Sequence, residues 1–289
     1  MSKRVALCLS GLAQGKNDIG RESGGIDYSY EHYLKHIIEK NDVDVFVHSW
    51  STEIEDKIKN LFEPKKYIIE KQRDFPTSNQ VGGEYAKNEE ELGEKILNGE
   101  DVSKVVNSYN RPKNLKQQNY SQWYSRMKSI HLKKEYEEEN NFKYDYVMMS
   151  RFDCLFFTDV IFEDFDKDSF YVSLNTDTLV DGAPTKYNTA LVYKKTPERI
   201  TFSNRNYHSD GMIDFWFFSN SENMDKFGEL FHSMDRYNQQ GTEGIGYIGS
   251  ERCVVKHLNE IGLGDRIEQV FHRLRDYELA RRWYLNSLY

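Results

Sequence analysis

The stretch "YDYVMMSRFDCLFF", Tyr144 to Phe157, decides how the rest of the chain is read. Its first half is an apolar run of strand length, and it passes without a break into Ser150, Arg151, Phe152 and Asp153 before turning apolar again. Continuous apolar runs of this length belong to strands buried on both faces of a parallel sheet. A charge driven into the end of such a strand is costly unless it is paired or holds an ion. The stretch therefore needs either a salt bridge between Arg151 and Asp153 or a ligand.

Working outward, "RVALCLSG" (Arg4 to Gly11) is a second buried run, stopped by Ser-Gly and followed by a Gly-rich loop to Gly25. "YSYEHYLKHIIEKN" carries Tyr30, Tyr33, Leu34, Ile37 and Ile38 at helical spacing, and "VDVFVHSW" (Val43 to Trp50) is the next strand. "EIEDKIKNLFEP" predicts a helix ending before Pro64, and "KKYIIEKQ" a third strand. This alternation marks an α/β fold, a Rossmann-like, mainly parallel central sheet flanked by helices. Residues 73–115 change character, being polar and rich in Asn, Glu, Lys and Gly, and are expected to form a mobile insertion or lid. A long helix with Tyr120, Trp123, Tyr124, Met127, Ile130, Leu132 and Tyr136 on its apolar face then leads into the opening stretch. Further on, strands are expected at Phe170 to Leu174, in "TALVYKK" and at Ile213 to Phe218. Helices are expected after an N-cap at Ser221, from Ser250, and over the tail "DYELARRWYLNSLY". Residues 1–289 read as one domain.

The chain has 289 residues and a formal net charge of -8, with 38% hydrophobic, 30% charged and 14% aromatic residues. Interspersed charge of this sign lacks the clustered basic face that nucleic acid requires. No window approaches the roughly 18 apolar residues of a membrane span, and the N-terminus lacks a secretory h-region. A cytoplasmic protein is expected, with peripheral membrane contact left open. Cys8, Cys154 and Cys253 are far apart in apolar runs, which suits buried reduced thiols.

Ligands of open α/β sheets bind beyond the carboxyl ends of the strands. That rule selects Ser10 to Gly15, His48 to Trp50, and Ser150 to Asp153, which are expected to share one cleft. The "LCLSG" strand, "DVFVHSW", and the long helix leading into "YDYVMMSRFD" resemble nucleotide-sugar-dependent glycosyltransferases of the GT-A fold, in particular bacterial and viral ones. The resemblance covers most of the chain apart from residues 73–115. It implies a UDP- or GDP-sugar donor, a glycan, lipid-linked or protein acceptor, and Mn²⁺ or Mg²⁺ held by an Asp-x-Asp motif. Here the matching triplet is Arg151-Phe152-Asp153, with only the last acid present. Asp153 is the expected metal ligand and His272 a second one, with Arg151 able to meet the phosphates or brace the carboxylate.

The resemblance makes Ser10 and Gly11 candidates for the nucleoside end of the donor, and His48 and Trp50 at the end of the second strand and Lys128 on the long helix are candidates for the same nucleotide-sugar. Trp50 is placed to stack on a base, although a packed core Trp is the competing reading. Acid-base work on the acceptor hydroxyl falls to Asp214, Glu251 and Asp210. Glu251 also suits the first turn of a helix for its dipole alone. Two rivals remain: a Rossmann-like nucleotidyltransferase and a non-catalytic nucleotide or carbohydrate binder.

Overall fold

The computed structural model describes residues 3–16, 22–23, 25–75, 103–174, 212–237, 250–272 and 275–280; for 15–16, 22–23, 103–116, 174, 252 and 272 it describes the backbone alone. The strands in chain order are β1 (Arg4–Gly11), β2 (Gly15–Lys16), β3 (Glu22–Ser23), β4 (Asp42–Ser49), β5 (Lys66–Ile69), β6 (Tyr146–Arg151), β7 (Cys154–Phe156), β8 (Phe170–Leu174), β9 (Trp216–Ser219), β10 (Ile267–His272) and β11 (Tyr277–Leu279). The helices are α1 (Ile26–His36), α2 (Glu55–Phe62), α3 (Ser103–Asn140), α4 (Ser221–Gly228), α5 (Leu230–Tyr237) and α6 (Ser250–Glu260).

Seven strands form the central sheet in the order β10-β8-β9-β6-β1-β4-β5. β5, β4, β1 and β6 run parallel, β9 is antiparallel to both β6 and β8, and β10 is parallel to β8. After β5 the chain crosses β1 through α3, so the strand order reverses beside β1, where such sheets open a crevice.

Strand alternation divides the interior into two cores. Ala6, Cys8, Phe46, Val147, Met149 and Phe217 pack against Trp123 and Ile130 of α3. Val5, Leu7, Leu9, Val45, Val47 and Met148 face the other way, toward Tyr33 and Ile37 at α1 and Ile58 and Phe62 of α2. Both faces of β1, β6 and the second half of β4 are thus covered, which is why these segments read as apolar runs.

Several sequence expectations are corrected. α3 begins at Ser103, so the segment expected to be irregular up to residue 115 is helical from that point. Residues 76–102, where the lid was expected, lie outside the described residues, as does "TALVYKK". Asn220, one residue earlier than expected, caps α4 by accepting a hydrogen bond from the Asn223 amide. The expected strand at Ile213 to Phe218 runs over Trp216–Ser219 instead. The described start of the tail is a strand, β11, antiparallel to β7. The period of "YEL" cannot separate helix from strand, and pairing beside Cys154–Phe156 decides it.

Beneath α3 and α4, Lys133 is fully buried and its ammonium donates to Glu137 (3.0 Å), Ser221 (2.7 Å) and Asp225 (2.6 Å). Lys133→Ala is expected to lower unfolding free energy by about 3 kcal/mol, the low end for breaking a buried pair. The low end applies because Lys143 still reaches Glu137 at 2.7 Å. Urea unfolding measures this, and an unchanged midpoint contradicts it.

Candidate active site

The register of the sheet brings the expected strand ends together. Ser10 lies opposite His48 on one side and Arg151 on the other. β9 pairs Trp216 with Ser150, so Asp214, two residues earlier, extends past the same carboxyl end of β6. Gly11 ends β1 with φ +100°, a conformation that favours glycine.

α3 crosses these strand ends and presents an unusual stripe. Gln122, the adjacent pair Ser125 and Arg126, Ser129 and Lys133 recur at three- and four-residue steps along one side of the helix, and the last four residues are fully buried. Ser125 is the tie to the sheet. Its hydroxyl accepts from the Gly11 amide (2.8 Å) and contacts His48 Nδ1 (2.7 Å), while His48 Nε2 meets Glu70 (3.2 Å). Both nitrogens of buried His48 are thereby occupied, so neither is free to meet a nucleotide as the sequence suggested. Burial lowers the His48 pKa to about 4, only partly opposed by Glu70. Glu70 is held below the usual carboxylate range: burial raises it, but hydrogen bonds from Arg73 and His48 outweigh that.

Trp50 stacks on Tyr124 with ring centroids 5.7 Å apart, and Lys128 and Arg73 lie over the Tyr124 ring at 5.4 and 4.9 Å. Trp50 is 5% exposed and its buried Nε1 has no hydrogen-bond partner among the described residues. Ser10 donates to the Ser150 carbonyl, and the Gly11 carbonyl accepts from the Trp50 amide and Ser49.

Arg151 forks onto Asp153, with Nε to Oδ1 at 2.7 Å and Nη2 to Oδ2 at 2.8 Å. Asp153 is 3% exposed. Burial alone would lower the Arg151 pKa; the Asp153 charge and its hydrogen bonds reverse that and raise it. The salt bridge raised by the opening stretch is therefore present. A divalent ion would have to displace this fork, so the donor set as placed does not fit Mn²⁺ or Mg²⁺. Among the described residues no group of three His, Cys, Asp or Glu side chains is arranged to hold a metal. The His272 side chain and Asp210 lie outside the described residues.

Asp214 is buried as well, at 7% exposed, but its partners differ. Its Oδ2 accepts from Gln122 (2.6 Å) and Ser250 (2.5 Å), and Ser250 accepts from the Trp123 indole (2.9 Å). No described residue donates to Oδ1. Fully buried Arg126 donates through Nη2 to the Asp214 carbonyl, with Nη1 3.9 Å from Oδ2. Burial lowers the Arg126 pKa to about 10, against the opposing pull of Asp214. Glu251, in the first turn of α6, is raised by desolvation and then by the Asp214 charge, although its exposed surface screens part of this. Gln122, Asp214, Glu251, Arg126, Arg151 and Asp153 thus gather at the ends of β6 and β9, and His48, Trp50 and Lys128 at the end of β4. Sequence reasoning missed Ser125, Arg126, Glu70 and Ser250; the signal for the first two was a polar residue every third or fourth position along an aromatic helix.

No protein-family model matches the chain, and no curated protein matches it.

Because unfolded His48 titrates near 6.5 and the folded group near 4, the unfolded chain binds the extra proton between these values. Stability is therefore expected to fall by about 3 kcal/mol as pH drops through that window. A His48→Gln variant is expected to lose most of this slope in urea titrations. A slope equal to the wild type's contradicts the assignment.

Proposed function

We propose that the chain is a glycosyltransferase of GT-A type, moving a sugar from a nucleoside-diphosphate donor to an acceptor hydroxyl. The observation that carries this reading is Asp214: a carboxylate beyond the strand ends with one oxygen fixed by Gln122 and Ser250 and the other claimed by no described residue. The mainly parallel, helix-flanked sheet and the convergence of Ser10, His48 and Arg151 on adjacent strand ends also support it.

In this reading the small residues Ser10 and Gly11 admit the nucleoside against the backbone, with Trp50, Tyr124 and Lys128 beside it. Arg151, held rigid by Asp153, turns Nη1 toward the diphosphate, so Asp153 acts as a positioning residue. The acceptor hydroxyl gives its proton to Asp214 Oδ1 as its oxygen bonds to the anomeric carbon. The bond from that carbon to the diphosphate breaks, and its electron pair leaves with the nucleoside diphosphate. Glu251, raised beside Asp214, is a second proton carrier. Acceptors with glycan, lipid-linked or protein hydroxyls all suit this chemistry.

The sealed Arg151–Asp153 fork favours one alternative, a nucleotide or carbohydrate binder without turnover. Thermal-shift measurements with UDP, GDP and ATP, each with and without Mn²⁺, are expected to show stabilisation by a nucleoside diphosphate. Asp214→Asn is expected to keep that shift and to lower donor turnover about 100-fold or more. Stabilisation by ATP alone points to a nucleotidyltransferase, and a diphosphate shift without turnover of any donor points to the binder.

A further inference from the structure

Arg126 is the most unusual group in the described part of the molecule. It has no exposed surface, and its Nε and Nη1 have no hydrogen-bond partner among the described residues. Buried donors left in this state cost free energy, and each calls for an explanation. The guanidinium cannot move away from the problem: it lies over the Trp123 ring at 4.5 Å and is tied through Nη2 to the Asp214 carbonyl.

Its nearest countercharge stands apart. Nη1 and Asp214 Oδ2 are 3.9 Å from each other, beyond hydrogen-bond reach. Polar groups held more than about 3.5 Å apart are the kind a bridging oxygen serves, here one set between the Arg126 guanidinium and the Asp214 carboxylate. That oxygen must accept from the guanidinium and donate to the carboxylate. A hydroxyl does both, whereas a phosphate or carboxylate oxygen would accept from Arg126 but face the Asp214 charge across the same gap. Gln122 and Ser250 already fill Oδ2, which leaves Oδ1 as the acceptor for the incoming proton.

We infer that Arg126 and Asp214 together form a subsite for a neutral sugar hydroxyl, with Arg126 donating to its oxygen and Asp214 accepting its hydrogen. The inference rests on the transferase reading above for its role in the reaction. There Arg126 would stabilise the negative charge that grows on the acceptor oxygen as its proton passes to Asp214, a charge-assisted contact made strong by burial.

The test is saturation-transfer NMR on the full chain with methyl glucoside and methyl galactoside as probes and inorganic pyrophosphate as the contrasting anion. The expected result is a glycoside signal in the wild type that falls several-fold in Arg126→Lys, which keeps the charge but loses the fork, and in Asp214→Asn. Melting curves establish that each variant is folded. Should either fail to fold, a crystal of the wild type soaked in the same glycoside decides, with a hydroxyl oxygen expected within hydrogen-bond distance of Nη1 and Asp214. A glycoside signal unchanged in a folded Arg126→Lys, no glycoside binding to the wild type, water alone in the gap, or a pyrophosphate oxygen on Arg126 each overturns the subsite. Turnover without glycoside contact at Arg126 defeats the subsite alone; glycoside held there without turnover of any donor defeats the transferase reading alone.

Discussion

Two guanidinium groups at the carboxyl ends of the parallel strands, Arg126 fully buried and Arg151 mostly so, set the terms for everything around them. Arg126 and Arg151 lie in surroundings where an uncompensated charge would be prohibitive, and each draws an aspartate into the sheet end. The two pairs are resolved in opposite ways. Arg151 and Asp153 close on each other through two short hydrogen bonds and satisfy each other's charge. Arg126 and Asp214 stand 3.9 Å apart and leave donors on one side and an oxygen on the other. A closed pair braces a site; an open pair has capacity for a ligand.

The helix that carries Arg126 makes this arrangement possible. α3 lays aromatic side chains into one core while its polar stripe runs along the strand ends, so one element both packs the sheet and lines the candidate site. Ser125 is small enough to let the helix approach Gly11 closely, and its single hydroxyl serves the Gly11 amide and His48 together. Polar contacts and packing are thus set by the same 3.6-residue repeat.

Much of this was legible in the sequence. The buried runs around Cys8, Phe46 and Met148 marked parallel strands because both faces of each are covered, and the rule for ligands at strand ends placed Ser10, His48 and Arg151 side by side as the register has them. What was not legible depends on contacts distant along the chain. Nothing local to Asp153 tells whether its carboxylate faces a cation or an arginine two residues away. The pairing of Tyr277–Leu279 with β7 is likewise invisible to periodicity. Arg126 escaped notice because an arginine within an aromatic helix reads as a solvated position until the strands are seen to cover it.

The central claim is that Asp214 is the carboxylate left for chemistry while Asp153 stays locked to Arg151. A crystal structure of the complex with a nucleoside diphosphate and Mn²⁺ tests it most directly. The account predicts diphosphate oxygens beside Ser10 and Arg151 Nη1, the fork to Asp153 intact, and Asp214 Oδ1 open to the cleft. A fork broken by a cation on Asp153, or a diphosphate bound away from these strand ends, would contradict it.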